Sequence, residues 1–131
     1  MEDVKLNYTG KIREVEIGVG DKKIKVGGQS AFNFHSFEGQ IPNQPLVSFE
    51  IWDTKPDEWS EVCISPFSDV IDDPVNWAKK CINEYGAKCL TVFLNSIDPN
   101  GMNKSVDEVR PIVEKIAKEI DIPLIFWGCG D

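Results

Sequence analysis

Residues 89–94, Cys-Leu-Thr-Val-Phe-Leu, are apolar at every position but one, and this continuity limits the possible folds more than any other feature of the chain. A strand that alternates apolar and polar residues covers one face and leaves the other to water. A strand with no polar face needs cover on both sides, which is the habit of parallel strands in α/β proteins. Parallel neighbours cannot be joined by a tight turn and require a long crossover, usually a helix.

Helices of that kind flank the run. Upstream, Asp73 and Pro74 supply an N-cap and a first helical residue. Val75, Ala78, Cys81, Ile82 and Tyr85 then recur at helical spacing, and Gly86 offers a left-handed stop. Downstream, Ser105 and Glu108 form an S-x-x-E capping box. Val106, Val109, Ile112, Val113, Ile116, Ala117 and Ile120 follow as one apolar stripe. Pro111 interrupts that helix, ordinarily at a cost of about 3 kcal/mol; lying opposite the stripe, it is expected to bend the helix around the core.

Two further strands complete the order. Residues 46–52 place Val47, Phe49 and Ile51 on one face and Ser48 and Glu50 on the other, ending at Asp53. Residues 124–127 read as another short buried strand. The connection over residues 55–71 contains Pro56 and Pro66 and is too long for a minimal turn. Right-handed crossovers make these three strands parallel neighbours.

Residues 11–28 read as a β-hairpin. Ile12, Val15 and Ile17 approach a turn at Gly18 to Asp21, and Ile24 and Val26 return. The Gly18-Val19-Gly20 pair resembles part of a dinucleotide fingerprint, but such a loop must open a helix, and residues 22–26 alternate as a strand. Next, Phe32, Phe34 and Phe37 are expected to plug one end of a larger core. His35, the single histidine, can titrate near neutrality; with no second ligand nearby, it reads as a hydrogen-bonded packing residue.

The expected fold is therefore α/β: an N-terminal β-hairpin followed by the first three strands and two helices of a TIM-type (β/α) barrel, incomplete. It forms one partial-barrel domain over residues 1–131, with hairpin and loop in 1–45 and the β-α-β-α-β units in 46–131. A closed barrel takes eight strands, so a fragment with a bare sheet flank is expected, prone to self-association or to docking of the missing part.

Charge and cysteines narrow the function. Carboxylates outnumber basic side chains 22 to 14, for a net charge of −8, which opposes nucleic-acid binding. No run approaches the roughly 18 apolar residues of a membrane span. Met1 to Lys5 lacks the basic start and apolar run of a signal peptide, so a cytoplasmic protein without membrane contact is expected. Cys63, Cys81, Cys89 and Cys129 show no C-x-x-C spacing, so no metal bound directly by this chain is expected. The first three read as structural, Cys81 and Cys89 as small hydrophobes.

In such folds functional groups gather where strands end. Three clusters fall there: Asp53-Thr54, Asn95 through Asp98, and Gly128-Cys129-Gly130-Asp131. They form either a polar rim for a cofactor or ordinary caps and turns. Gly128 and Gly130 allow close backbone approach by a ligand, or else a tight turn around a buried thiol. Glu50, if inward, needs partners. No Ser/His/Asp set, H-E-x-x-H or phosphate loop is present, so an independent hydrolase or nucleotide enzyme has no support.

A set of residues in fixed order then resembles one family: Val26-Gly27-Gly28, Phe34-His35, Phe37-Glu38-Gly39, Pro42-Asn43, Pro45, Glu50 and Asp53. The set continues with Pro66-Phe67, Asp69-Val70, Asp73-Pro74, Trp77-Ala78, Glu84-Tyr85-Gly86-Ala87, Asp98-Pro99, Gly101, Asn103, Ser105-Val106 and Gly128-Cys129-Gly130-Asp131. The family is the small subunit of the corrinoid iron–sulfur protein, called the delta subunit of the acetyl-CoA decarbonylase/synthase complex in methanogenic archaea. The resemblance runs from about Lys11 to the last residue. Asn33 stands where the family often has Pro, and family members are more than twice as long.

The resemblance implies a TIM-barrel subunit paired with a larger (gamma) iron–sulfur subunit, the two holding a cobamide that carries a methyl group. The methyl comes from a methylated pterin through a methyltransferase and passes to acetyl-CoA synthase, both transient partners. The chain is then a non-catalytic scaffold, its cofactor-facing residues being Asn95, Ser96, Asp98 and Cys129, with Asp53, Gly128, Gly130 and Asp131 around them. The alternative is a pterin-dependent methyltransferase-like domain binding a methyl-pterin through Asp53, Asn95 and Asp131.

Overall fold

The computed structural model describes residues 10–32, 34–35 and 37–129. The chain divides into two compact units, Met1–Leu46 and Val47–Asp131.

In the first unit, β1 (Val15–Val19) and β2 (Lys22–Val26) pair antiparallel around Gly20 and Asp21, with Ile17 opposite Ile24. Lys23 and Lys25 bridge across to Glu16 and Glu14 at 3.4 and 3.3 Å. Asn43 donates its side-chain N–H to Glu14 and to the Gly27 carbonyl, both at 3.0 Å, closing the loop back onto the hairpin. None of the described side chains from Gly10 to Leu46 is buried. The three phenylalanines do not plug a core: Phe32, Phe34 and Phe37 are 72%, 76% and 55% exposed. They surround His35, whose Nδ1 lies 3.1 Å from Glu38 Oε2. A two-stranded ribbon has too little area to enclose three large rings.

The second unit is built on a parallel sheet in the order β3 (Phe49–Trp52), β4 (Leu90–Phe93), β5 (Leu124–Trp127). Phe49, Leu90 and Leu124 share one rung; Trp52, Phe93 and Trp127 share the last. The first strand is shorter than residues 46–52: it starts at Phe49, and Val47 before it is 73% exposed. The long connection after β3 is partly ordered, with a one-turn helix α1 (Glu61–Ile64) running into a 3-10 turn at Ser65–Phe67. Cys63 lies there and is exposed, not part of the core.

Helix α2 (Pro74–Asn83) starts as its punctuation dictates: Asp73 Oδ1 accepts the Val75 and Asn76 N–H groups at 3.0 and 3.2 Å. Gly86, at φ +69°, turns the chain out of the helix, its N–H reaching the Ile82 carbonyl and that of Ala87 the Cys81 carbonyl. In α3 (Val106–Glu119), the Ser105 N–H and hydroxyl both donate to Glu108 Oε2 at 2.8 and 2.7 Å. Pro111 is exposed on its outer side. The buried stripe is narrower than the spacing predicts. Val109, Ile116 and Ile120 are buried and Ile112 and Val113 half-buried, but Val106 and Ala117 are exposed. A helix lying on a sheet of three short strands meets it along one line of side chains only.

Both helices pack on one face of the sheet, where Ile51, Leu90 and Val92 are fully buried with Val75, Trp77, Ala78, Cys81, Ile116 and Ile120. Burial pushes the Cys81 thiol up to about 11, so it stays protonated and behaves as a hydrophobe. The other face carries Glu50, Trp52, Thr91, Phe93, Ile125 and Trp127, none of them buried. β5 is therefore not a buried strand: Phe126 and Trp127 are exposed, since β4 is its one partner among the described residues. Among these residues no helix is long and apolar enough to cross a membrane.

Ion pairs tie α2 to its surroundings. Lys79 meets Glu119 of α3, and Lys80 meets Asp69, each at 2.5 Å. The lysine hydrogen bonds hold the carboxyls of Glu119 and Asp69 below their ordinary values of 4.5 and 3.8. A carboxyl depressed by folding stabilises the native state above its ordinary value and loses that contribution as pH falls through the depressed one. Acid titration followed by helical circular dichroism should thus show stability declining below about pH 4.5, with a shallower decline in Lys79→Ala. The Lys79–Glu119 pair is solvent-exposed on both partners, so added salt should flatten the same limb.

Candidate functional site

The three polar clusters converge because register levels the strand ends. The Asp53 N–H donates to the Phe93 carbonyl at 3.0 Å, and the Leu94 N–H donates to the Trp127 carbonyl at 2.9 Å. The loops after β3, β4 and β5 consequently leave the sheet side by side.

At the centre is a buried pair. Asp53 is 8% exposed and Ser96 1%. Asp53 Oδ1 accepts the Ser96 N–H at 3.1 Å and Oδ2 accepts the Ser96 hydroxyl at 2.5 Å. A carboxylate removed from water must be compensated by donors, and here one residue of the neighbouring loop supplies two. The Asn95 side chain adds a bond to the Thr54 hydroxyl at 3.3 Å. The first two loops are thus locked together by side chains of Asp53, Thr54, Asn95 and Ser96.

Asn95 and Ser96 lie in a 3-10 turn, Asn95–Ile97. Asp98 organises the rest of that loop: its Oδ1 accepts the Asn100 N–H at 2.8 Å, and its carbonyl accepts those of Gly101 and Asn103 at 3.0 and 2.9 Å. The Lys104 N–H closes on the Ser96 carbonyl at 2.9 Å, which delivers the chain to the α3 cap. The third loop joins through Cys129, whose thiol donates to the Ile97 carbonyl at 3.8 Å. Gly128 packs against the tip of Ile97: a Cβ there would stand 2.6 Å from Ile97 Cδ1, and the isoleucine side chain would have to move aside. Gly130 and Asp131 lie outside the described residues.

Of the residues expected at the rim, Asp53 and Ser96 spend their polar groups on each other, while Asn95, Asp98, Gly128 and Cys129 are half-buried around them. Glu50 lies on the face turned away from the helices and is exposed there, not partly buried; it accepts the Trp52 indole N–H at 2.8 Å. Sequence reasoning missed the ring row directly below the rim. Trp52 and Phe93 meet edge to face at 5.0 Å and Phe93 stacks on Trp127 at 4.4 Å. The signal was present, since each of the three strands ends in an aromatic residue. Among the described residues, no three His, Cys, Asp or Glu side chains are grouped to hold a metal ion.

Comparison with known proteins finds similarity over nearly the whole chain. Residues 14–131 match the family model described as CO dehydrogenase/acetyl-CoA synthase delta subunit. The acetyl-CoA decarbonylase/synthase complex subunit delta of Methanothermobacter thermautotrophicus is 36% identical over 126 residues, covering 95% of this chain and 32% of the relative. Its counterpart in Methanocaldococcus jannaschii is 36% identical over 130 residues with the same coverage. That of Archaeoglobus fulgidus is 29% identical over 137 residues, covering 99% and 30%. The chain spans about a third of the length of these curated relatives. It belongs to the CO dehydrogenase/acetyl-CoA synthase delta subunit family.

Proposed function

We propose that the chain is a non-catalytic, cofactor-cradling part of a delta-type subunit in an acetyl-CoA decarbonylase/synthase complex, working in the cytoplasm beside a larger iron–sulfur corrinoid subunit. In this reading β3, β4 and β5 are the first strands of a (β/α) barrel. Their sequential order, with both crossover helices on one face, supports that reading, because winding in one direction curls a sheet toward closure instead of covering it on both sides.

The observation that carries the function is the rim: three polar loops at one end of parallel strands, fixed by the Asp53–Ser96 pair. Its chemistry fits the edge of a cobamide. The corrin periphery bears amides, which both donate and accept; the Asn95 amide and the Asp98 carboxyl each make a bond within the rim and have further hydrogen-bonding capacity to offer, with the Cys129 sulfur beside them. No rim side chain among the described residues is an imidazole that would ligate cobalt; His35, the one histidine, pairs with Glu38 in the first unit. The cobamide, when bound, carries the methyl group. This chain's residues would position the corrin edge and shield it from water, while the large subunit holds the cofactor itself. A methyl-pterin site drawing on Asp53 would first have to break both of its bonds to Ser96.

The test is a titration of the chain into a cobamide-loaded large subunit from a relative, read by corrin absorbance. A saturable one-to-one complex with a spectral change is expected, weakened at least tenfold by the double replacement Asn95→Ala and Asp98→Ala. No complex, or tight binding of methyl-pterin by the chain alone as read by tryptophan fluorescence, would overturn the proposal.

A further inference from the structure

Every tryptophan of the chain stands in one run of touching rings, all of it within the second unit. Trp52 meets Trp59 at 5.4 Å and Trp59 meets Trp77 at 5.8 Å, both edge to face. Trp127 joins Trp52 through Phe93. On the other side Trp77 reaches Tyr85 through Phe67, by contacts of 5.8 and 5.3 Å. Trp52 ends β3 beside the rim, whereas Tyr85 lies against Phe49, the first residue of that strand. The run therefore extends the length of the strand, about 10 Å for three residue steps.

Packing asks only for large rings, and phenylalanine would serve. Indole and phenol differ from phenylalanine in giving up one electron readily, and along this run their protons have different surroundings. The Trp52 N–H donates to the Glu50 carboxylate at 2.8 Å, so an oxidised indole there has a base at hand. Trp77 is 1% exposed, and its N–H meets no acceptor among the described residues. A missing electron on Trp77 cannot be trapped by loss of that proton, and stays mobile. Tyr85 is 44% exposed, and its phenol can release a proton to water. Such an order suits entry at Trp52, passage through Trp77 and exit at Tyr85.

We propose that Trp52, Trp59, Trp77 and Tyr85 form a relay that carries a one-electron oxidising equivalent from the rim end of the sheet to the surface at Tyr85, where a thiol quenches it. A one-electron oxidant, such as an oxygen-derived radical, takes an electron from Trp52 while Glu50 accepts the indole proton. Trp59 refills Trp52, to which Glu50 returns the proton, and Trp77 refills Trp59. Tyr85 then refills Trp77 across the Phe67 ring, and the phenol proton goes to water. A thiol gives a hydrogen atom to the phenoxyl radical and leaves as a thiyl radical. The sum is one electron from thiol to oxidant and one proton to solvent, with the protein unchanged. The relay belongs to the chain itself and stands whether or not the rim holds a cobamide.

Pulse radiolysis of the full chain in azide tests it, because the azidyl radical oxidises tryptophan in preference to tyrosine. A Tyr8→Phe background leaves Tyr85 as the one tyrosine. The indolyl absorbance is expected to decay in step with a rise in phenoxyl absorbance, first order and independent of protein concentration. Added cysteine should shorten the phenoxyl lifetime. Trp77→Phe keeps a ring in the core, and should slow the transfer at least tenfold with the circular dichroism unchanged. Glu50→Gln keeps a hydrogen-bond acceptor but removes the base, and should prolong the indole radical cation. Absence of a concentration-independent transfer, or an equal rate in Trp77→Phe, overturns the relay. An unchanged radical-cation lifetime in Glu50→Gln overturns its proton step. The assay contains no cobamide, so failure of the relay and failure of the cradling role are read separately.

Discussion

Replacing Trp77 by Ala should destabilise the second unit by about 3–5 kcal/mol, a large part of the 5–15 kcal/mol typical of a whole domain. Trp77 is 1% exposed and is among the largest of the fully buried side chains. It meets Trp59 edge to face and Phe67 at an angle, each at 5.8 Å. Through Trp59 the contacts reach Trp52 at the strand end, and through Phe67 they reach Tyr85 and Phe49 at the other. Truncation would open a void between α2 and the loop after β3, flanked by rings too large to collapse into it. Its indole N–H has no hydrogen-bond partner among the described residues. Trp77→Phe therefore loses volume and no hydrogen bond, and should cost less than half as much. Urea unfolding followed by circular dichroism measures both; a cost below about 1 kcal/mol for the alanine variant would contradict this role.

The second large effect is expected at the rim. Asp53→Ala leaves the Ser96 N–H and hydroxyl buried without their acceptor, at about 1–3 kcal/mol for each unsatisfied group. Ser96→Ala removes one of the two donors to a carboxylate that is itself buried, and should cost a similar amount. The double variant leaves a single orphan, the backbone N–H, so the costs should fall short of additivity by more than about 1 kcal/mol. Asp53→Asn keeps an acceptor and should lie between wild type and Asp53→Ala. Hydrogen exchange adds a local reading, with the Ser96 amide expected to lose protection before the amides of α2. Additive costs and unchanged exchange at Ser96 would mean that the pair does not lock the rim.

Strand order and helix starts were legible because the information lies within a few residues. Asp73-Pro74 and Ser105 with Glu108 satisfy their own backbone groups, and the apolar run at 89–94 has no polar face to expose. Features that depend on a neighbour were not legible. Val106 and Ala117 continue the α3 stripe in sequence, yet both are exposed. Phe32, Phe34 and Phe37 carry core-like side chains in a unit too small to bury them. At the site, clustering at strand ends placed Asp53, Asn95, Ser96, Asp98, Gly128 and Cys129 together. That Asp53 spends both oxygens on Ser96 follows from a register fixed across 43 residues of separation, which one-dimensional spacing does not carry. The ring row becomes readable once Trp52, Phe93 and Trp127 are recognised as the last residues of adjacent strands.

The most direct measurement is a solved complex of this chain with a cobamide-loaded large subunit. The corrin edge is expected within van der Waals or hydrogen-bond reach of Asn95, Asp98 or Cys129, at the end of the sheet marked by the Asp53–Ser96 pair. A cofactor seated at the opposite end of the strands, or touching none of these loops, would contradict a cradling role for the rim.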